Sequence, residues 1–372
     1  MQATLANWRT APFNAWAFHH VRELIPSADV PNDPRAIRSL ESRPRDFAGL
    51  RIDPDSGEAM GLEAFLQETG TDGLAIMHRG RLVFERYANG MTDETPHILM
   101  SVSKSMLGLL AHELELDRGA LATSLMPELK GTAYEGASVA HLLDMRAGIV
   151  WDEDYLATAG PIVDYRRATG WNPSHTPSDL RSFYQQLKET KPHGGPVHYV
   201  SPNSDLLALL IERATGRRYA ELMSERVWKK AGAERSAYVT VDRLGAARAA
   251  GGMCATLRDL ARVGQWLIEE RADFLAGLGQ GGDSAAWAAG DMAKYYPGLP
   301  MRYRSQWYVV EANRDEKAAP LVFGMGIHGQ NLFIDRANAI VIAKLSSQAA
   351  PLDAGRIALT MRAVSQLRKF LA

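Results

Sequence analysis

The chain has little of several features that mark particular classes of protein. Its one cysteine, Cys254, excludes an intramolecular disulfide, and no Cys/His group has the spacing of zinc ligands. No stretch reaches the roughly 18 apolar residues of a membrane-spanning helix. The first residues lack the basic and apolar segments of a secretory signal. These absences predict a cytoplasmic protein that needs no metal and no membrane.

An excess of charge of either sign is also missing. Lysine and arginine total 42 against 43 aspartate and glutamate, so the formal net charge is −1. This balance argues against a nucleic-acid partner, which would favour a basic surface. With 46% hydrophobic residues the chain can form a sizeable core. The composition predicts a small-molecule partner, and it leaves a monomer and a homodimer open.

Several common catalytic templates are absent. The sequence contains no GxSxG, no HExxH and no Walker A motif, which argues against an α/β-hydrolase, a zincin and a P-loop enzyme. Residues 324–329 match GxGxxG, but the match leads into a strand rather than a helix and lies too near the C-terminus for a βαβ unit. We therefore predict that no cofactor is required.

Periodicity predicts strands near both ends of the chain and helices between them. Residues 73–88 form a strand pattern on each side of Arg79-Gly80, which is typical of a hairpin. Further strand patterns are found at 234–242, 306–312, 330–335 and 337–345, an amphipathic helix at 355–371, and a glycine-rich segment, predicted to be a loop, at 277–290.

This arrangement predicts an α/β (α+β) fold in which helices flank an antiparallel sheet. Residues 1–100 and 232–372 are expected to form the sheet domain. Residues 101–231 are expected to form an inserted, mainly helical subdomain. The active-site cleft is then expected between the two parts.

Ser101-Val-Ser-Lys104 is the only Ser-x-x-Lys sequence, and it lies where an extended segment meets a helix that begins near Val102. Residues three apart share one helix face, so Lys104 can reach the Ser101 hydroxyl. The helix N-terminus and burial would both lower the lysine pKa, which allows the amine to accept a proton near neutral pH. By themselves these four residues favour the alternative, a capped helix with a solvated lysine.

Tyr199 and Ser201 lie two residues apart in a segment predicted to be extended, just before an amphipathic helix that ends at Gly216. A tyrosine in this position can relay a proton to a leaving group. The alternative is a core tyrosine whose hydroxyl has a partner.

The glycines of the segment 324–329 let the backbone approach a ligand. The backbone N–H of Ile327 can then donate to a developing oxyanion. His328 follows in the same turn, and we interpret it as structural because a Ser-Lys pair needs no histidine base.

The three segments, in this order, resemble the penicillin-recognising serine hydrolases, the family of class C β-lactamases and DD-peptidases. Within it the sequence is most similar to the 6-aminohexanoate-dimer (nylon oligomer) hydrolases and related carboxylesterases. The resemblance covers most of the chain and includes LMSVSKS, WDEDY, NSDLLALLIERATG, GGMCATLRDLARVG and GIHGQNLFID.

The resemblance implies a helical part, an α/β part around an antiparallel sheet, and a cleft between them. It implies that Ser101 is the nucleophile and that Lys104 and Tyr199 transfer protons. The backbone N–H groups of Ser101 and Ile327 would form the oxyanion hole. The expected reaction is hydrolysis of a carboxylic ester or linear amide through an acyl-enzyme.

The resemblance also implies a substrate pocket that includes Tyr155, Ser201 and Gly326. Tyr155 matches a cleft tyrosine that contacts substrate. Positions 250 and 308 depart from the nylon oligomer hydrolases, since Ala250 replaces a histidine and Tyr308 a tryptophan. The pocket wall is therefore expected to differ, and the substrate cannot be transferred from the family.

A second departure concerns the third motif of the penicillin-recognising enzymes, Lys or His, then Thr or Ser, then Gly. This motif falls on Gly324-Met325-Gly326, which offers neither a cation nor a hydroxyl. A β-lactamase or D-stereospecific peptidase is thus the less favoured alternative. A catalytically silent binding protein of the same fold is the other alternative.

Overall fold

The structure is a computed structural model that describes residues 2–54, 57–311 and 320–372. Strands in these ranges are β1 (Ser27–Val30), β2 (Glu41–Ser42), β3 (Thr71–His78), β4 (Arg81–Tyr87), β5 (His97–Ile98), β6 (Ala237–Thr240), β7 (Met253–Ala255), β8 (Met301–Arg304), β9 (Trp307–Val310), β10 (Leu321–Gly326), β11 (Gln330–Asp335) and β12 (Ile340–Ser346).

Eight strands form the main sheet, in the spatial order β2-β4-β3-β12-β11-β10-β9-β8. All neighbours in it are antiparallel except β2 and β4. Strand β3 lies directly beside β12, with Ile76 opposite Ile342, so the two ends of the chain contribute adjacent strands. A smaller sheet, β1-β6-β7-β5, was not predicted from the sequence.

The β3–β4 hairpin turns at Arg79 and Gly80, as its sequence predicts. Both residues have positive φ, 53° and 78°, which matches the right-handed twist of the strands in a two-residue turn. The predicted strand at 306–312 is shorter and ends at Val310, while residue 312 lies outside the described residues.

The α-helices are α1 (Phe13–Ala17), α2 (Leu62–Glu68), α3 (Val102–Glu113), α4 (Ala122–Leu125), α5 (Val139–Leu143), α6 (Pro161–Ala168), α7 (Leu180–Tyr184), α8 (Ser201–Thr215), α9 (Tyr219–Met223), α10 (Leu257–Glu270), α11 (Ala272–Gln280), α12 (Ser284–Ala288) and α13 (Ala354–Leu371). Helix α9 continues as a π-helical turn at Ser224–Trp228. Short 3-10 turns occur at Val21–Glu23, Pro127–Leu129, Ala293–Tyr295 and Ile327–Gly329.

Helices cover both faces of the main sheet because its central strands are apolar on both sides. Ala75 and Val341 belong to the core cluster that includes α10, whereas Ile76 and Ile342 belong to the cluster that includes α13. Adjacent residues of a strand point to opposite faces. A Cβ on Gly264 of α10 would lie 2.4 Å from Val341, so this glycine allows close packing of helix on sheet.

The segment 277–290 is not the loop that its glycines predict. Helix α11 runs to Gln280, and α12 follows after three residues. Leu278 and Trp287 are buried, and Asp283 caps α12 by accepting from the N–H of Ala286 at 2.9 Å. Apolar packing and a good N-cap thus outweigh the low helix propensity of glycine.

Candidate active site

Ser101 lies at the N-cap of α3, where the sequence places it. The preceding residue, Met100, has φ of 45°, a conformation that is strained for a side chain of this kind and is common at functional sites. A Cβ on Gly326 would lie 2.9 Å from the backbone nitrogen of Ser101. The glycine therefore lets the end of β10 approach Ser101, and Ile327 follows immediately.

Lys104 is one helical turn further on and is buried. Its Nζ lies 3.0 Å from the hydroxyl oxygen of Ser101, 3.0 Å from that of Ser201 and 2.7 Å from the carbonyl oxygen of Ala250. Burial lowers the Lys104 pKa to about 7, although the negative charge of the Glu153 carboxylate acts to raise it. Near neutral pH the amine can therefore exist in the neutral form that accepts a proton.

Tyr199 completes the contacts around Ser101. Its ring centroid is 4.9 Å from Lys104 Nζ, and its hydroxyl lies near the hydroxyls of Ser101 and Tyr308. Burial raises the Tyr199 pKa, and the nearby hydroxyls of Ser101 and Tyr308 oppose this only in part. Tyr199 is thus a protonated phenol in position to exchange a proton near the serine.

Ser201 is the first residue of α8 and does not lie in an extended segment. Pro202 explains the difference, because its fixed φ and missing N–H suit the first turn of a helix. The Ser201 N–H donates to Glu153 Oε2 at 2.9 Å, and its hydroxyl donates to the other oxygen of the same carboxylate. A chain of contacts therefore runs from Glu153 through Ser201 and Lys104 to Ser101.

Sequence reasoning missed Glu153, although it lies two residues before Tyr155. It also missed the buried pair of Asp205 and Arg248, whose charged atoms are 2.6 Å apart. Asp205 belongs to a helix that we interpreted as plainly amphipathic. The available signal was its position in the SPNSD sequence, ahead of an apolar run.

Several predicted residues line one narrow cavity. It is bordered by Ser101, Tyr155, Ser201, Ala250 and Ile327. The structure therefore brings together one nucleophile candidate, one oxyanion-hole candidate and three of the predicted pocket residues.

The other two predicted pocket residues do not line this cavity. Gly326 borders a different cavity, against α13. The Tyr308 ring stacks on Phe323, with centroids 5.1 Å apart, and its hydroxyl, which lies near that of Tyr199, has no hydrogen-bond partner among the described residues. Tyr308 thus lies near Tyr199 and does not line the cavity beside Ser101.

His328 has the surroundings of a structural residue. It is buried, and its Nδ1 lies 2.6 Å from the carbonyl oxygen of Gln348, to which it can donate. Burial lowers the His328 pKa to about 4. The interpretation of His328 as structural agrees with this geometry.

One group of potential metal ligands is present among the described residues, away from the cavity beside Ser101. His19, Asp72 and His97 are buried, with ligand atoms within 4.8 Å of one another. The Nε2 atom of His97 lies 3.1 Å from Asp72 Oδ2, and Asp72 also accepts from Asn89 and Ser347. These contacts describe a buried hydrogen-bond network.

In the described ranges no helix has the length and apolar content to cross a bilayer.

The sequence of residues 62–365 matches the family model described as Beta-lactamase. The chain belongs to the beta-lactamase family. A curated relative, the 6-aminohexanoate-dimer hydrolase of Paenarthrobacter ureafaciens, is 35% identical over 369 residues, which is 94% of this chain and 89% of that protein. This family membership confirms the resemblance inferred from the motifs.

Two solved structures agree with the fold. A Bacillus anthracis protein provisionally described as a 6-aminohexanoate-dimer hydrolase superposes with a TM-score of 0.87 at 26% identity, covering 100% of this chain and 98% of that chain. EstCE1, a hydrolase with promiscuous acyltransferase activity, gives a TM-score of 0.61 at 17% identity, over 81% of this chain and 97% of that chain. The predicted fold class is confirmed, and the chain is a hydrolase with the beta-lactamase fold.

Proposed function

We propose that this family member is a serine hydrolase that cleaves carboxylic esters and linear amides through an acyl-enzyme on Ser101. The observation that carries the proposal is the 3.0 Å contact between Ser101 Oγ and Lys104 Nζ. A buried amine with a pKa of about 7 is a suitable base for a serine hydroxyl.

In the first half of the reaction, Ser101 Oγ attacks the carbonyl carbon and its proton passes to Lys104 Nζ. The carbonyl oxygen becomes an oxyanion, which the backbone N–H groups of Ser101 and Ile327 stabilise by hydrogen bonds. When the bond to the leaving group breaks, Tyr199 donates its hydroxyl proton to the leaving oxygen or nitrogen. Lys104 then returns a proton to the Tyr199 oxygen.

In the second half, a water molecule attacks the acyl-enzyme and Ser101 Oγ is the leaving group. Lys104 and Tyr199 together take a proton from the water and give one to Ser101 Oγ, because deacylation uses the contacts of acylation in the reverse order. The net change is one ester or amide bond exchanged for a carboxylic acid and an alcohol or amine. No step requires a cofactor.

Ser201 and Glu153 are proposed to position Lys104 rather than to contact the reacting atoms. Ser201 provides an oxygen 3.0 Å from Lys104 Nζ, and Glu153 holds Ser201 by two hydrogen bonds. The third contact of the amine is to the Ala250 carbonyl. When the amine is neutral, its two N–H groups can donate to Ser201 and Ala250, which leaves its lone pair directed toward Ser101.

We also propose the division that the sequence suggested, with the cleft between residues 101–231 and the sheet domain. The candidate site draws Ser101, Lys104 and Tyr199 from the first part. It draws Ala250 and Ile327 from the second.

The function is tested with a fluorophosphonate probe, which reacts with activated serines. We expect stoichiometric labelling of the wild type at Ser101, and no labelling of Ser101→Ala or of wild type previously inactivated by heat. Ser105 is also on α3 and is buried, so Ser105→Ala is a control that should keep the label. Labelling of Ser101→Ala would place the nucleophile elsewhere, and an unlabelled wild type would favour the silent binding protein.

A further inference from the structure

Arginines line the cavity beside Ser101 on the side of the N-terminal segment. Arg9, Arg166 and Arg248 border this cavity together with Glu153. Two of the arginines donate to acceptors of the protein, although the buried Nε of Arg248 has no hydrogen-bond partner. Arg166 donates to the carbonyl oxygens of Ala157 and Asp154 at 3.0 and 2.9 Å, and Arg248 is paired with Asp205.

Arg9 has neither the carboxylate partner of Arg248 nor the two carbonyl acceptors of Arg166 in the described structure. Its Nη2 donates to the neutral side chain of Asn172, and its buried Nε has no hydrogen-bond partner. Burial, together with the charges of Arg166 and Arg248, lowers the Arg9 pKa to about 9. A buried, unsatisfied donor on a charged group is costly, and an anion in the cavity would remove that cost.

Aromatic rings fix the guanidinium groups around this cavity. The Cζ atoms of Arg9 and Arg248 lie 5.8 and 4.8 Å from the centroid of the same Trp171 ring. Arg9 also lies 5.5 Å from the Trp8 ring. Cation–π contacts of this kind hold a guanidinium in place without using its N–H donors.

The position of the cavity indicates which part of a substrate it receives. Among the described residues, its lining includes Ser101 and Ile327 but not Tyr199. Under the proposed function, on which this step rests, Tyr199 serves the leaving group. The cavity is therefore on the acyl side of the scissile bond.

We propose that the preferred substrates carry a carboxylate at the far end of a short acyl chain, and that Arg9 binds it. The substrate class is thus the monoesters, and the corresponding monoamides, of short dicarboxylic acids. The free space between Ser101 and Arg9 is only about 20 Å³, so only a short chain can separate the reacting carbonyl from the carboxylate. A guanidinium can bind a carboxylate through two parallel N–H groups.

The test compares monomethyl glutarate with methyl pentanoate, two methyl esters of similar length, by the release of methanol. We expect wild type to prefer the charged ester by about tenfold or more in kcat/KM, the scale of a hydrogen bond to a charged group. Arg9→Gln should abolish this preference, and Arg9→Lys should retain part of it. Arg217→Gln, which changes an exposed ion pair with Glu225, is the matched control and should leave the preference unchanged.

A binding experiment separates this inference from the proposed function. Glutarate should bind to Ser101→Ala in calorimetry and should not bind to the double variant Ser101→Ala/Arg9→Gln. If methyl pentanoate is cleaved at least as well as monomethyl glutarate and glutarate does not bind, the carboxylate site is overturned while the hydrolase function stands. If neither ester is cleaved and the fluorophosphonate does not label Ser101, the proposed function fails and this inference fails with it.

Discussion

The Asp205 carboxylate accepts a hydrogen bond from the backbone N–H of Ala250 at 2.7 Å. The carbonyl oxygen of the same Ala250 accepts from Lys104 Nζ, also at 2.7 Å. The other oxygen of Asp205 pairs with Arg248 and accepts from the Tyr165 hydroxyl. One buried carboxylate therefore fixes both a pocket residue and the backbone group that orients the candidate base.

Asp205→Asn should destabilise the protein strongly. The change leaves the Arg248 guanidinium buried without its counter-charge, and breaking a buried pair from one side typically costs about 3–5 kcal/mol. The free energy of unfolding, from urea titration, measures the loss. Asp164→Asn removes an exposed pair with Arg167 and should cost about 1 kcal/mol or less. Equal losses for the two variants would contradict the role given to Asp205.

Lys104→Ala should abolish most ester hydrolysis, because Ser101 loses the base that takes its proton. The double variant Ser101→Ala/Lys104→Ala should be little worse than either single variant, since groups that act as one unit are strongly non-additive. The measurement is kcat/KM on a p-nitrophenyl ester, with thermal unfolding as the check on folding. A double variant whose loss equals the product of the two single losses would show that the residues act independently.

Activity should rise with pH through about 7, the pKa to which burial lowers Lys104. The reactive amine is the unprotonated form, so kcat/KM should increase about tenfold per pH unit below that value and level off above it. This dependence is measured as kcat/KM for an alkyl ester between pH 5 and pH 9, with the products of hydrolysis followed directly. An activity that falls as pH rises through 7 would require a protonated Lys104 and exclude it as the base.

Tyr199→Phe removes only a hydroxyl, so turnover should fall while KM changes little. General acid–base groups typically contribute about 10²–10⁴-fold, which sets the scale of the loss in kcat. Tyr219→Phe is a suitable control, since Tyr219 is also buried and its hydroxyl has no hydrogen-bond partner. An unchanged kcat for both ester and amide substrates would make Tyr199 a packing residue.

The sequence predicts those parts of the site that depend on local spacing. Ser101 and Lys104 are three residues apart on one helix, and a helix start at Val102 is enough to bring them together. The strands predicted at 330–335 and 337–345 were likewise visible in their apolar patterns, and the structure has them at Gln330–Asp335 and Ile340–Ser346. What a short segment encodes by itself can be inferred from that segment.

Contacts between distant segments could not be inferred in this way. Arg9 precedes Ser101 by more than ninety residues in the sequence, yet both border the same cavity. The Asp205 carboxylate likewise accepts a hydrogen bond from the distant backbone N–H of Ala250. The contribution of Ala250 is a carbonyl group, which every residue type possesses. Such contacts depend on how the chain folds back on itself, which periodicity and spacing do not determine.

Substrate preference should follow the leaving group and the charges around it. We expect good hydrolysis of short acyl esters, weak cleavage of linear amides and almost none of penicillins or cephalosporins. An amide nitrogen leaves poorly unless it is protonated, so amide cleavage requires accurate placement of Tyr199 against the leaving group, whereas an ester tolerates a looser site.

The two positions that depart from the nylon oligomer hydrolases, Ala250 and Tyr308, both affect this placement. Ala250 borders the cavity beside Ser101, and the Tyr308 hydroxyl lies near that of Tyr199. A misplacement of about 1 Å can reduce a rate about 10²-fold. For β-lactams, Gly324-Met325-Gly326 offers no cation or hydroxyl to the ring carboxylate on the leaving-group side, and a charge without a partner is costly in a cleft. The measurement is kcat/KM for an ester, a linear amide and a cephalosporin of similar size. If the amide matches the ester, or the cephalosporin is opened as fast as either, these positions do not determine specificity.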